Sequence, residues 1–440
     1  MIHRVTRFKI HLAAMALCFA ALLFSANASA LGETPAANPA WQQSHPADAS
    51  QTRWVPGKGI EFTSTDKMFR LQLRPRAQFL YEFMDAQGAD EARDRSQAVL
   101  VRRARLATSG YMWGDDVAFK LELALSPKDL GMTDHKSGNP PITNKDNTPT
   151  RSPMLDFYVD FKQIRDLNLR VGQYKVQYSR QRAVSSGNMM FVDRTIANGE
   201  FNIDRDIGLT LGSTDLFGMD KKLRYYLSVT SGEGHSSSAA NDFGMMYVGR
   251  VEVLPLGNFK DFDESDLGRQ AKPRLSLGLG FAYLENGAGN KGIIGKRPAD
   301  GGVTDTKNLT ADLMFKMAGL SVQAEFYWRD GSRQAGDALD GAIDDDGKPV
   351  AAEKARNGTG VMAQAGYLLA GVPLEFAGRY AMIRGAGDDS SLGDGNEVGG
   401  AVNYYFAGHP MKLQADVIRV WSDDFGKGDN QARLQLQVAF

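Results

Sequence analysis

From Met68 onward, apolar and polar residues alternate along the chain with a period of two. At the start of this region the apolar positions are Phe69, Leu71 and Leu73, with arginine and glutamine between them. Successive side chains of a β-strand point to opposite faces, so this period predicts strands with one apolar and one polar face. The pattern recurs as far as the C-terminus, for example at Phe119, Leu121, Leu123 and Leu125, at Leu155, Phe157, Val159 and Phe161, and at Leu434, Leu436, Val438 and Phe440.

A soluble β-sandwich also alternates, but three features of these segments favour a barrel that spans a membrane. The segments are about nine to twelve residues long, as a tilted strand must be to cross a bilayer, whereas ordinary strands have about five or six residues. Short connections alternate with long polar ones, such as residues 126–152, 179–204, 285–305 and 330–357. Aromatic residues gather near the segment ends. The sequence therefore predicts an all-β chain that forms a porin-like, transmembrane antiparallel β-barrel of about sixteen strands.

Two further features bear on this prediction. The mean hydropathy is -0.34, which is compatible with a barrel because a barrel strand faces lipid with only every second residue. Residues 254–273 fall where a short turn is expected, yet this stretch is long and charged. It is either an extended turn or a sign that one strand is miscounted.

The N-terminus has the pattern of a secretory signal peptide over residues 1–30. Three basic residues precede an apolar run at 12–24, and small residues follow at 28–30. A membrane anchor is the alternative, but the run is shorter than the roughly 20 residues that a spanning helix needs. Cys18, the only cysteine, lies in this run, so the exported chain has no cysteine.

Three regions follow from these patterns. Residues 1–30 are predicted to be the signal peptide, residues 31–65 a mostly disordered periplasmic linker, and residues 66–440 the barrel. An exported barrel of this kind belongs in the outer membrane of a Gram-negative bacterium, where it contacts lipopolysaccharide and other outer-membrane lipid. The last strand ends at Phe440, which resembles the C-terminal signature read by the barrel-assembly machinery.

Charge and motif content argue against a nucleic-acid binder and against an enzyme. The formal net charge is -1, and without the three basic residues of the signal peptide it is -4, whereas nucleic-acid binding calls for a basic excess. No G-x-S-x-G or H-E-x-x-H pattern is present. We expect no cofactor and no metal site. The acidic stretch 344–347 with Glu353 resembles the end of a calcium loop, but Ala342 occupies the position of the first ligand. The exported histidines, interpreted as solvated, are His45, His135, His235 and His409.

If the apolar face meets lipid, the polar face lines the lumen, and its charges are informative. Arginine and lysine along a wide pore favour anions, and the guanidinium fork binds oxyanions through two parallel hydrogen bonds. The alternative is that these cations pair with lumenal acids and hold the wall together. The residues predicted to line the anion path are Arg74, Arg76, Arg103, Arg105, Lys120 and Arg170.

The third long connection, residues 179–204, is interpreted as a loop that folds into the barrel and sets its constriction, as is usual in sixteen-stranded porins. It carries arginines together with Asp193, Glu200 and Asp204. Charges of both signs across a narrow waist are consistent with moderate selectivity. The predicted constriction residues are Lys175, Arg180, Arg182 and Arg194.

Several stretches carry a family resemblance: 74–78 (RPRAQ), 101–106 (VRRARL), 170–175 (RVGQYK), 185–186 (SS), 191–194 (FVDR) and 204–208 (DRDIG). They resemble the phosphate-selective porin O and P family, and the resemblance covers essentially the whole barrel. It implies a sixteen-stranded homotrimer with a basic lumen that conducts anions, phosphate and polyphosphate in the best-known members. Two departures stand against phosphate itself. Gln177 replaces a usual proline, and the constriction loop has no lysine beyond Lys175.

The sequence therefore favours a passive diffusion channel for small anions, phosphate-like ions among them. A general, weakly selective porin is the main alternative. A surface adhesin or phage receptor that acts through the long loops is the alternative from another class. A conductance measurement separates these classes, because a plugged barrel conducts little.

Overall fold

The computed structural model describes residues 51–87, 93–131, 134–137, 142–145, 152–237, 244–295, 297–338 and 353–440. The predicted signal peptide, the first part of the predicted linker, the acidic stretch 344–347 and the side chains of His45 and His135 lie outside what it describes. Within the described residues, no helix is both long and apolar enough to cross a membrane.

Sixteen antiparallel strands form a closed barrel, because the last strand pairs with the first barrel strand. The strand number that the sequence predicts is therefore confirmed. The barrel strands are β3 (Arg70–Gln87), β4 (Arg93–Tyr111), β5 (Val117–Ala124), β8 (Met154–Phe161), β9 (Asn168–Lys175), β10 (Arg205–Ser213), β11 (Leu223–Thr230), β12 (Met246–Val253), β13 (Arg274–Gly287), β14 (Val303–Met317), β15 (Leu320–Gln334), β16 (Gly358–Leu368), β17 (Leu374–Gly385), β18 (Gly395–Tyr405), β19 (Met411–Trp421) and β20 (Asp429–Ala439). The remaining strands form two hairpins, β1 (Gln51–Val55) with β2 (Gly59–Thr63), and β6 (Asp134–Ser137) with β7 (Ile142–Lys145).

The connections divide the barrel into two ends. One end, called the turn end here, carries mostly short connections, such as residues 318–319 and 369–373, and both termini of the barrel. The other, the loop end, carries the longer connections, including residues 176–204. In outer-membrane barrels the short turns face the periplasm and the long loops face outward.

Residues 254–273 contain no strand and form an extended turn that is folded into the barrel from the turn end. We call this segment the inward turn. Three of its backbone carbonyls, those of Lys260, Asp263 and Ser265, accept hydrogen bonds from Lys316 Nζ on β14 at 2.8, 2.6 and 3.0 Å. Its Asp261 is 2% exposed. The strand count was therefore correct, and the long connection is a genuine extended turn.

The segment before the barrel is more ordered than the sequence indicates. Residues 31–65 are predicted to lack regular structure, but β1 and β2 form a hairpin, and β2 pairs with the start of β3, with Ile60 opposite Leu73. The hairpin has only five residues in each strand and lacks a long alternation, which explains why the period did not reveal it. Gly59 packs against the backbone of Leu73, which leaves no room for a side chain.

Apolar residues face outward and polar residues inward along most strands, as predicted. Leu277 and Leu279 on β13 are 43% and 56% exposed, whereas the alternate positions Ser276, Gly278 and Gly280 are buried. Leu155 is an exception, because it is 7% exposed and turned away from the lipid face. The register between β5 and β8 shifts between Glu122 and Leu123, and this irregularity displaces Leu155 from the outward series.

Candidate functional site

Residues 176–204 cross the interior of the barrel and carry two short helices, α1 (Arg180–Ala183) and α2 (Ile196–Phe201). Ser179 and Thr195 cap these helices, each accepting a hydrogen bond from a backbone N–H of the first turn. We call the whole segment the inner loop. Its contacts reach β3 and β4 on one side and β14 to β19 on the other, so it divides the lumen.

One side of the inner loop is fixed to the wall formed by β14 to β19. The backbone N–H of Val192 donates to Asp416 at 2.9 Å, and that of Ile196 donates to Glu397 at 2.9 Å. Phe201 stacks on Tyr327 with ring centroids 5.9 Å apart. Buried carboxylates and one aromatic ring therefore position the backbone of the loop, and the lumen on this side is filled.

The inner loop also meets the inward turn. The backbone N–H of Glu264 donates to the carbonyl of Asn188 at 3.0 Å, and the N–H of Met190 donates to the Glu264 carboxylate at 2.7 Å. Two segments that start from opposite ends of the barrel thus contact each other inside it. This contact closes the lumen next to β13 and β14 and leaves open space along β3, β4 and β5.

The open side of the inner loop faces a wall of arginines. Asp193 accepts hydrogen bonds from Arg102 at 3.0 Å and Arg103 at 2.6 Å, and Arg433 lies 3.4 Å away. Burial alone would raise the pKa of Asp193, but these guanidinium groups hold it well below its usual range. Asp193 therefore joins the inner loop to the wall and neutralises part of its charge.

Above the inner loop lies a cavity of about 560 Å³, which we call the loop-end cavity. Eight cationic side chains line it, against three carboxylates. The cations are Arg102, Arg103, Arg105, Lys128, Lys175, Arg182, Arg194 and Arg205, and the carboxylates are those of Asp129, Asp204 and Glu233. The cavity is strongly basic although the chain as a whole is slightly acidic.

Below the inner loop lies a smaller cavity of about 130 Å³, the turn-end cavity. It is bounded by β3, β4, β20, the β1–β2 hairpin and the turn between β18 and β19. Arg105 lines both cavities, so the two spaces adjoin at this side chain. The charged groups that line the turn-end cavity are Arg74, Arg76, Arg105 and Glu122.

Five of the lining cations have no carboxylate partner among the described residues. Arg76 donates to the hydroxyls of Ser185 and Ser186, and Lys175 donates to backbone carbonyls. Arg194 donates to the carbonyls of Gln181, Arg182 and Val184. The other two, Arg74 and Lys128, are exposed. Neutral acceptors hold the first three in position, and all five keep their charge available to a solute.

Like charges crowd the inner loop. Burial, and after it the positive charges of Arg182 and Arg103, lower the pKa of the Arg194 guanidinium. An arginine nevertheless stays protonated at any physiological pH. A bound anion would relieve the repulsion among these groups, so the arrangement favours negative solutes.

The comparison with known proteins decides the family. The family described as phosphate-selective porin O and P matches residues 73–440. The chain belongs to the porin O and P family. It is an outer-membrane porin of a Gram-negative bacterium, as its sequence predicts. No curated protein matches the chain.

Solved structures share the fold of this porin at low sequence identity. OmpF of Salmonella typhi, in complex with daunomycin, has a TM-score of 0.53 and 12% identity, covering 86% of this chain and all of that one. A loop-deletion mutant of OmpT of Vibrio cholerae gives 0.51 and 10%, covering 85% of this chain and all of that one. The trimer form of OmpT gives 0.50 and 11%, covering 84% and 99%. At these identities the likeness shows the barrel alone.

Most of the predicted site residues of the porin line the two cavities. Arg103, Arg105, Lys175, Arg182 and Arg194 line the loop-end cavity. Arg74, Arg76 and Arg105 line the turn-end cavity. Several of them are also paired, as the alternative reading of the lumenal charges expects. Arg105 contacts Glu122 and Asp129, and Arg182 contacts Asp204.

Three predicted residues do not face either cavity. Lys120 bonds Glu122 and Asp156 at 2.8 and 2.5 Å, and Arg170 binds both carboxylate oxygens of Asp160 at 2.7 and 2.9 Å. Arg180 is fully buried and pairs with carboxylates of the inward turn and β14. The expectation that Arg180 faces a permeating anion is therefore wrong, because the loop turns this side chain toward the filled side of the lumen.

Sequence reasoning missed some contributors to the site. Arg102 is not among the residues predicted to line the lumen, but the register between β3 and β4 shifts beside Gln78, and Arg102 reaches Asp193 inside the barrel. Arg205 lines the loop-end cavity and bonds Asp156 at 2.6 Å. Its place at the end of the inner loop, in the family-like stretch 204–208, was the available signal.

The histidine prediction also needs correction. His235 lines the loop-end cavity, and its Nε2 lies 2.6 Å from the carbonyl of Met154. His409, in the turn between β18 and β19, is 8% exposed and lines the turn-end cavity. Tyr405, one of the aromatic residues near a segment end, faces inward and donates to Glu375 at 2.6 Å. A period of two predicts the faces of strands and gives no information about short turns that fold against the barrel mouth.

Proposed function

We propose that this porin conducts small anions by passive diffusion, with oxyanions of the phosphate class among its permeants. The observation that carries the proposal is the set of five lining cations without a carboxylate partner in the described chain: Arg74, Arg76, Lys128, Lys175 and Arg194. An uncompensated charge in a water-filled passage attracts counter-ions and concentrates them. A purely structural set of arginines would instead be paired throughout.

The order of these cations gives a path. An anion that enters at the loop end meets Lys175, Arg182 and Arg194 first. It then reaches Arg105, which is shared by both cavities, and leaves past Arg76 and Arg74. Cationic groups spaced along a passage allow an ion to exchange one partner for the next, so it is not held at a single site. Conduction needs this weak, repeated binding.

The phosphate class is supported by the chemistry of the groups and by the family. Guanidinium groups present a planar fork that matches two oxygens of a phosphate or carboxylate. The description of the family names phosphate. The cationic groups of the inner loop are arginines, whose guanidinium fork can bind two oxygens at once, whereas a lysine would act as a point charge. We therefore expect oxyanions with two accessible oxygens to interact more strongly than chloride.

We further propose a homotrimer in the outer membrane. A trimer form is recorded for OmpT of Vibrio cholerae, which shares the barrel fold. The lipid-facing surface is continuous and apolar, and the outer leaflet would surround it with lipopolysaccharide. The amphipathic β20, which precedes Phe440, supports insertion by the barrel-assembly machinery.

The test is the reversal potential of the purified porin in planar bilayers under a potassium chloride gradient. We expect an anion-selective potential for the native porin. The double variant Arg76→Gln/Arg194→Gln should lose most of it. Both glutamines keep hydrogen-bonding capacity and remove two positive charges from the path.

A matched control separates local charge from net charge. Lys222 and Lys307 are exposed outside the two cavities, so Lys222→Gln/Lys307→Gln removes the same charge and should leave the reversal potential unchanged. A native potential of zero, or one of cation sign, would contradict the proposal and leave a general porin. A barrel that does not conduct would favour a surface receptor instead.

A further inference from the structure

The turn-end cavity has the features of a binding site as well as those of a passage. It holds about 130 Å³, whereas about 10–15 Å³ suffices for one water molecule. A small oxyanion with a few waters therefore fits. Neutral donors complete its lining beside the arginines, namely Ser185, Asn188 and Gln437.

Arg76 is positioned for such a ligand. Its guanidinium group is held by the hydroxyl of Ser186 at 2.9 Å and passes directly over Gly187. A Cβ atom at residue 187 would collide with Arg76 Nη1, so glycine makes room for this side chain. Arg74 lies two residues earlier on the same face of β3.

His409 is the unexplained group in this cavity. It is 8% exposed, and neither Nδ1 nor Nε2 has a hydrogen-bond partner among the described residues. Its backbone carbonyl is bound by Gln437 Nε2, which fixes the turn, and its ring meets the edge of Tyr405 with centroids 5.6 Å apart. A buried polar ring without partners is costly unless a ligand or water uses its nitrogens.

The charged and titratable groups around His409 come from every element that packs there. The positive groups are Arg74 and Arg76 of β3, Arg105 of β4, Lys412 of β19, Lys316 of β14 and Lys260 of the inward turn. The others are Glu122 of β5 and Tyr405 of β18, whose hydroxyl is bound to Glu375. The surroundings are therefore predominantly cationic, and a proton on His409 needs an anion nearby.

We propose that the turn-end cavity is a binding site for a small divalent oxyanion, in which the His409 imidazole takes up a proton and donates to the anion beside Arg74 and Arg76. The site would couple anion binding at the periplasmic mouth to pH. This inference rests on the proposed anion path and adds a discrete, proton-linked site to it.

The sign of the coupling follows from the charges. Burial, and after it the positive charges of Lys412, Lys316 and Lys260, hold the pKa of His409 well below its usual range, so the empty site contains a neutral imidazole at neutral pH. A bound anion favours the charged form and raises this pKa. Because the occupied site then binds more protons than the empty one, affinity for the anion increases as the pH falls.

Sulfate is the probe, because it stays divalent over the whole titration range of histidine whereas phosphate does not. We would measure block of the chloride current by sulfate in planar bilayers between about pH 7.5 and about pH 5, which spans the usual histidine range. Native porin should be blocked with an affinity that rises about tenfold toward acid pH, as a return of the His409 pKa to its usual range on binding would give.

Two variants make the measurement specific. His409→Gln should keep sulfate block at neutral pH and lose its dependence on pH. His235→Gln, in the other cavity, should keep the pH dependence. If block by sulfate in His409→Gln still strengthens toward acid pH, or if native block does not change with pH, the inference is overturned.

A second measurement uses the native porin, so it does not depend on whether a variant folds. The exported chain has only four histidines, so the imidazole signals of detergent-solubilised porin can be resolved by nuclear magnetic resonance. Sulfate should raise the pKa measured from the His409 signal. If sulfate changed the pKa of no histidine, the site would be refuted. Chloride selectivity without sulfate at neutral pH is measured separately, so failure of the anion channel and failure of this site give different results.

Discussion

At the scale of single residues, two arginines of the inner loop, Arg180 and Arg194, show how location decides role. Arg194 lines the loop-end cavity and is held only by backbone carbonyls. Arg180 is fully buried, bonds Asp312 at 2.5 Å and Asp261 at 3.0 Å, and lines neither cavity. The same type of side chain provides an unpaired charge at Arg194 and a buried ion pair at Arg180.

Replacing Arg180 should therefore affect stability. Arg180→Met leaves two buried carboxylates with fewer partners, although Arg250 and Arg224 still contact Asp312 and Asp261. Breaking a buried pair costs about 3–5 kcal/mol, and the remaining partners place this case at about 3 kcal/mol. Urea unfolding in detergent, followed by the shift in electrophoretic mobility of the folded barrel, measures the loss.

The control for this variant is Arg95→Met. Arg95 pairs with Asp85 on the surface and its side chain is 69% exposed, so its removal should change stability by less than about 1 kcal/mol. If Arg180→Met left the stability unchanged but abolished anion selectivity, Arg180 would belong to the anion path after all.

At the scale of elements, one lysine makes three of the contacts that hold the inward turn. Lys316 is 2% exposed and donates to three carbonyls of the turn. Hydrogen bonds from a charged donor contribute roughly 1.5–3 kcal/mol each. A single side chain on β14 thus ties three carbonyls of a twenty-residue connection, residues 254–273, to the barrel wall.

Lys316→Met should loosen the inward turn without opening the barrel. We expect frequent fluctuations of the single-channel current, because the turn lies beside the path, and faster trypsin cleavage after Lys260 and Arg269. Lys307→Met changes an exposed lysine on the same strand and should show neither effect. Quiet currents and unchanged cleavage in Lys316→Met would mean that other contacts hold the turn.

The sequence predicts the elements better than it predicts their contacts. Alternation shows which face of each strand meets lipid, so the sixteen strands could be predicted from the sequence. It carries no information about partners such as Arg180 and Asp312, which are 132 residues apart. It also fails where a strand loses its phase, as at Arg102 and Leu155, because a register shift moves a side chain to the opposite face.

At the scale of the whole molecule, the charge of the lumen opposes that of the chain. The sequence is slightly acidic overall, yet the loop-end cavity holds eight cations against three carboxylates. Acidic residues outside the two cavities balance the total. The proposed selectivity therefore depends on where charge is placed, which the net charge does not reveal.

Salt should weaken this selectivity. The screening length falls from about 10 Å at 0.1 M to about 3 Å at 1 M ionic strength, so the uncompensated cations act over a shorter distance. We expect the reversal potential, at a fixed ratio of salt concentrations, to fall by about half over this range. The variant Arg76→Gln/Arg194→Gln should show a weaker dependence. A potential independent of ionic strength would point to selection by size.

The N-terminal hairpin of β1 and β2 limits the register in which β20 pairs with β3 to close the barrel. Both β2 and β20 pair along one edge of β3, with Ile60 opposite Leu73 and Ala439 opposite Arg76. A slip of β20 by two residues toward the turn end would keep its lipid and lumen faces but bring Phe440 onto Leu73. Ile60 already occupies that position, so the hairpin blocks this slip. Strand β20 can therefore pair with β3 in one register only.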